Sequence, residues 1–251
     1  MPNIFRDAIN SLAHGRRHMA ALESEVRCYF ASKPYRQVID FDPSGPTDIH
    51  KLKLARQVPD AISHVAFDAV INLRSALDQA GYAVAIADGG PGKQSGFPFG
   101  ETEADASSQA TRNSREIPGP VLGAMLNARP YRHGDADLWA LNRLANQQKH
   151  RFVNPMAIYS GGANMHARHF STDRGFTFPP HWDMNNQEMV LAKVPHRALI
   201  DVSMQIHWGL AFSRLDGVLD QTCSGVLGRA ADSVERVIAA MDREARVLGL
   251  N

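Results

Sequence analysis

The chain has two cysteines in 251 residues, Cys28 and Cys223. They stand far apart and match neither a disulfide framework nor a paired metal-ligand spacing, so both are expected as free thiols. No apolar run reaches the roughly 18 residues that a membrane span needs. The first twenty residues carry Arg6, Asp7, Arg16 and Arg17 in place of the continuous apolar stretch of a signal peptide, and a cytoplasmic location is the expectation. Charge of one sign is also lacking. A formal net charge of +1 gives no global field with which to hold a phosphate backbone nonspecifically. Catalytic and cofactor signatures are missing as well. The glycines and Lys93 between Gly89 and Gly96 have neither P-loop nor dinucleotide-binding spacing, and no GxSxG elbow accompanies Ser224. His166-x2-His169, with His181 and His196 further on, lacks the carboxylate and the spacing that make a zinc motif specific. No metal and no cofactor are therefore expected.

What is present suits an ordinary folded protein: 44% hydrophobic and 21% charged residues. Apolar residues recur at spacings of three and four over residues 4–31, 59–87, 135–151 and 226–248, which predicts four amphipathic helices. Pro34 should end the first, and Asp135 or Asp137 should cap the third. Shorter helices are expected near 121–127 and within the polar stretch 101–116. Tyr35 to Phe41 and Lys51 to Arg56 alternate apolar and polar residues around Pro43-Ser44-Gly45-Pro46, which reads as a hairpin. After Pro155, strands are expected at 156–159, 165–170, 187–194 and 198–212, separated by glycine, proline and asparagine turns. The predicted fold is α+β. A mainly helical bundle (about 1–152) packs on one antiparallel sheet formed largely by the C-terminal half, with the closing helix, as one domain over 1–251.

Two helices place polar groups where chemistry could occur. On the second, His64, Asp68, Asn72, Ser75 and Gln79 form a strip beside the apolar stripe, and Phe67 and Ile71 interrupt it, which predicts cover on both faces. Arg74 and Asp78 sit one turn apart at its edge and should form a structural ion pair, helped by hydrogen bonds to the Phe97 to Tyr131 connection or to the later helix. The competing reading makes this helix a pocket wall. On the later helix, Asn142, Arg143, Asn146, Lys149, His150 and Arg151 crowd the surface. Arg143 and His150 lie within about 20° of one another and about 10 Å apart along the axis. With Trp139 they form a cationic, partly aromatic stripe that could bind phosphate, Arg acting as fork donor and His as acid or base. Alternatively, Lys149, His150 and Arg151 simply complement the negative end of the helix dipole.

The order Asn72-Leu73-Arg74-Ser75-Ala76-Leu77-Asp78, Phe97-Pro98-Phe99, Pro130-Tyr131, then Leu141, Leu144, Asn146 and Lys149-His150-Arg151 resembles a widespread group of uncharacterised bacterial proteins. These carry an NLRSALDHL-like helix and a later LxNxDKHR-like helix. The likeness covers roughly residues 60–152 and brings no activity with it. It departs at Ile71, Gln79 and Gln148, which stand where the pattern has His, His and Asp. Arg143-x6-His150 is also similar to the spacing of HEPN ribonucleases. That resemblance implies a metal-independent ribonuclease of a defence or toxin system, acting on RNA as a homodimer with Arg143 and His150 catalytic. The residues themselves point to a binding or regulatory protein with a small anionic ligand or a protein partner, and no membrane. Its site would be a polar pocket of Asn72, Arg74, Asp78, Asn146, Lys149, His150 and Arg151.

Overall fold

The computed structural model describes residues 3–43, 45–148, 156–171, 181–183, 186–196, 199–212 and 221–250. In chain order they form α1 (Arg6–Ala31), β1 (Tyr35–Asp42), β2 (Thr47–Leu54), α2 (Asp60–Ala87), α3 (Glu103–Asn113), α4 (Gly119–Asn127), α5 (Ala136–Gln148), β3 (Met156–Ser171), β4 (His181–Asp183), β5 (Glu188–Pro195), β6 (Leu199–Phe212) and α6 (Cys223–Val247). The class is α+β.

The helix boundaries have local causes. α1 stops at Ala31 because the Ser32 N–H turns back to the Cys28 carbonyl and Lys33 takes a left-handed φ of 49° just before Pro34. α2 ends in a Schellman turn. Gly89 at φ 87° lets its own N–H donate to the Ile86 carbonyl, and the Gly90 N–H to that of Ala85. α3 opens with a reciprocal capping box between Thr102 and Asp105. At α5, Asp135 is the cap: its Oδ1 accepts from the Asp137 and Leu138 N–H groups at 3.1 and 2.9 Å. Asp137 instead pairs with Arg229 of α6 at 3.0 Å.

The periodic stripes meet in one large core. α2 lies at its centre with Ile62, Ala66, Ala69, Leu73, Ala76, Leu77, Ala80 and Val84 all buried, and α1, α5 and α6 packed around it. Its alanines allow close helix approach. Gly15 of α1 serves the same end, since a Cβ there would lie 2.8 Å from Leu73 Cδ2. α4 adds Val121 and Met125, and the end of β6 adds Leu210 and Phe212.

The strands depart from the expected single sheet. β1, β2, β5 and β4 form a four-stranded antiparallel sheet in that order, and β3 pairs with β6 in a separate two-stranded ribbon. The N-terminal hairpin thus belongs to the larger sheet, which is not built mainly after residue 155. The two strands expected at 156–159 and 165–170 are one, because the ladder absorbs Gly161-Gly162 as a register shift between Ser160 and Ala163. Leu52, Met189 and Leu191, with Tyr35 against them, form a small second cluster on the larger sheet. Charge gathers on that sheet too. Lys51 Nζ lies 3.0 Å from Asp40 and 2.7 Å from Glu188, and Lys53 bridges the same two carboxylates. Among the described residues no helix is long and apolar enough to cross a membrane.

Candidate functional site

The α2 stripe that buries Leu73 and Leu77 turns Arg74 and Asp78 toward α5, and the chain after α2 folds back over them. That return depends on two glycines. At Gly81 a Cβ would stand 2.1 Å from the Ser95 carbonyl oxygen, and at Gly92, with φ 73°, one would stand 2.3 Å from the Tyr82 ring. Only bare backbone permits this approach. The returning segment places the Phe97 N–H 3.1 Å from Asp78 Oδ1 and the Phe99 ring 4.3 Å beneath the Arg74 guanidinium. Arg74 also donates through Nη1 to Asp78 and through Nε to Asn142 Oδ1 at 3.2 Å. Asn146, one turn further along α5, donates to the same Asn142 oxygen at 3.3 Å.

The guanidinium is thus held by a carboxylate, a carboxamide and an aromatic face, with 20% of its side chain exposed; Asp78 is 45% exposed. Two residues beyond Phe99 in the chain, Glu101 accepts from Trp139 Nε1 at 2.9 Å and from Arg143 Nη1 at 3.4 Å. The Arg132 and Arg143 cations lie 5.4 and 5.7 Å from the Trp139 ring centre.

The structure therefore links Arg74, Asp78 and Asn146 through Asn142, while Arg143 belongs to the Glu101 and Trp139 group. The ion pair expected at Arg74 and Asp78 forms, with the added hydrogen bonds to Phe97 and to α5. Asn72 is not part of this group. Two residues correspond to about 200° on a helix, and its amide instead donates to the Asp68 carbonyl at 2.8 Å. It faces a groove of about 800 Å³ between α1 and α2, where Ser11 Oγ donates to Gln79 at 2.7 Å. The polar strip is also more open than Phe67 and Ile71 implied: Phe67 is buried, but His64, Asp68 and Ile71 are exposed. α1 covers the Asn72 to Gln79 end of that strip and leaves its His64 and Asp68 end to solvent. Lys149, His150 and Arg151 lie outside the described residues, so the pairing of Arg143 with His150 is not one the described residues form.

Phe99 and Glu101 are site residues that periodicity did not reveal. The Phe97-Pro98-Phe99 triplet was visible in the sequence only as part of a resemblance. Among the described residues no three His, Cys, Asp or Glu side chains converge. Of the two thiols, Cys28 is exposed and Cys223 is buried, and burial pushes the Cys223 thiol well above its ordinary range. Compared with protein families, curated proteins and solved structures, the chain matches none.

Proposed function

We propose that the chain is a binding protein that takes a small anionic ligand on the surface between α2 and the second half of α5, with Arg74 as its principal donor. The observation that carries this reading is the way Arg74 is held. Its Nε and Nη1 are anchored to Asn142 and Asp78, and its plane is set over Phe99, yet part of the group remains open. A guanidinium fixed in this way has already lost much of its rotamer entropy, so an anion meeting its outer edge gains charge-assisted hydrogen bonds at low ordering cost. Asn146 and Arg143, both exposed on α5, supply further donors within the same stretch of surface. Asp78 limits the reading, because it offsets the Arg74 charge; the ligand would be recognised by hydrogen-bond geometry more than by net field.

Calorimetric titration with inorganic phosphate tests this. Wild type should give saturable heat with a single site, and Arg74→Lys, which keeps the charge but not the fork, should weaken it by about tenfold or more. Asn146→Ala should weaken it less. If the substitutions lower only thermal stability and leave phosphate uptake unchanged, the cluster is scaffolding and the reading fails.

A further inference from the structure

A second cavity, of about 580 Å³, lies between α4 and α6 and falls in the size range of small-molecule sites. Small residues make room for it: Gly123, Ala124 and Ala128 line one side, and Val237 and Ala240 the other. At Gly123 an added Cβ would meet nothing within 4 Å, so no close approach accounts for a glycine that weakens the helix.

A cation and a carboxylate meet in this cavity without pairing. Ser233, buried at 3% exposure, donates through Oγ to Asp135 Oδ2 at 2.8 Å, and Arg236 Nη2 donates to the same Oγ at 2.8 Å. The hydroxyl holds the two charges apart, and they form no ion pair with each other. Each has capacity left. An ionised carboxylate offers about four lone-pair sites. Asp135 fills two on Oδ1 with the Asp137 and Leu138 N–H groups and one on Oδ2 with Ser233, which leaves one open. Of the roughly five N–H groups of a guanidinium, Arg236 commits only the one to Ser233 among the described residues. Further along α6, Arg243 and Glu244 also line the cavity, and neither side chain has a partner among the described residues. The lining thus carries two cations and two carboxylates. A ligand of one sign finds no net field there, whereas one that bears both charges is matched by both.

We infer that this cavity binds a free α-amino acid with an aliphatic side chain. Its carboxylate takes the open edge of Arg236, its ammonium the remaining site on Asp135 Oδ2, and its side chain lies along Gly123, Ala124 and Ala240. An α-amino acid fits because its two charges sit on one carbon, a close spacing that two groups bridged by a single hydroxyl reproduce. Those three small residues offer no side-chain hydrogen bond, so the part of the ligand against them is apolar. Arg236 is exposed and Asp135 half-buried, which leaves both reachable from solvent. The inference is independent of the anion site at Arg74.

Calorimetric titration of the full chain at neutral pH tests it. L-leucine should give saturable heat with a single site. Isocaproate, which lacks its ammonium, and isoamylamine, which lacks its carboxylate, should each bind more weakly by about tenfold or more. Arg236→Gln, at an exposed position, should weaken leucine by a similar factor and leave isoamylamine unchanged, because isoamylamine has no carboxylate to lose. Gly123→Leu enters the cavity from a position where the fold has room, and it too should weaken leucine by about tenfold or more. Arg74→Lys should leave leucine binding as it is. The inference is overturned if neither L-leucine nor the smaller L-alanine saturates. It is equally overturned if isocaproate or isoamylamine binds as tightly as leucine, or if leucine binding is indifferent to Arg236→Gln or to Gly123→Leu.

Discussion

Replacing Asp78 separates the parts of the Arg74 cluster. Asp78→Ala removes two interactions and loosens a third. The Phe97 N–H, in a residue only 5% exposed, loses its acceptor at 3.1 Å, and stranding a buried donor costs about 1–3 kcal/mol. The pair with Arg74 is worth less, because Asp78 is nearly half exposed; such pairs contribute about 0–1 kcal/mol. Freed of its anchor, Arg74 should also lose part of its contact with Phe99, worth about 0.5–1 kcal/mol at such sites. These effects overlap, and their total should be about 2 kcal/mol, below the roughly 3 kcal/mol expected for a fully buried pair. Asp78→Asn keeps an oxygen for Phe97 and removes only the charge, so it should cost about 0.5–1 kcal/mol. Urea unfolding at neutral pH measures both, as shifts in midpoint at constant slope. Equal costs for Ala and Asn would show that the hydrogen bond to Phe97 contributes nothing. A cost below about 0.3 kcal/mol for Asp78→Ala would refute the account of why this loop stays folded over α2.

Gly81→Ala should destabilise by about 1–3 kcal/mol although alanine is the better helix former, because its Cβ would meet the Ser95 carbonyl at 2.1 Å; thermal unfolding reads this directly, and a raised midpoint would contradict the packing described. Hydrogen bonding to Lys51, foremost, holds the Asp40 carboxyl below its ordinary value of 3.8. The native chain therefore binds fewer protons than the unfolded one, so this stabilisation is intact above pH 3.8 and lost as pH falls through the depressed native value. Wild type should consequently lose more stability than Asp40→Asn between about pH 5 and 2 by circular dichroism. A thiol reagent should modify Cys28 in the native protein and reach Cys223 only on unfolding, since Cys223 is buried at the start of α6; labelling of both at equal rates would contradict that placement.

The helices were legible because their burial follows local period: Leu73, Ala76, Leu77, Ala80 and Val84 need only a helix and a partner to be core. The sheets were less so. Gly161-Gly162 has the composition of a turn, yet a long paired strand can absorb it, and nothing local distinguishes the two outcomes. Joining the 35–54 hairpin to β5 is a pairing across more than 130 residues, which alternation cannot specify. At the site, Arg74 and Asp78 could be matched from helical spacing alone. Their further partners could be expected by segment, the Phe97 to Tyr131 connection or the later helix, but not by residue: Phe99 and Asn142 arrive from other elements, and the loop that brings Phe99 is positioned by the absence of a side chain at Gly81.

The claim that Arg74 is a binding donor and not only a strut is tested most directly by nuclear magnetic resonance of the arginine Nε–H and asparagine side-chain amide groups during titration with inorganic phosphate. The account predicts that Arg74 Nε–H and the Asn142 and Asn146 amides shift together and saturate at one common concentration, and that Arg74→Lys abolishes the asparagine shifts. If those resonances stay fixed while phosphate moves only scattered surface groups without saturation, the cluster binds no anion.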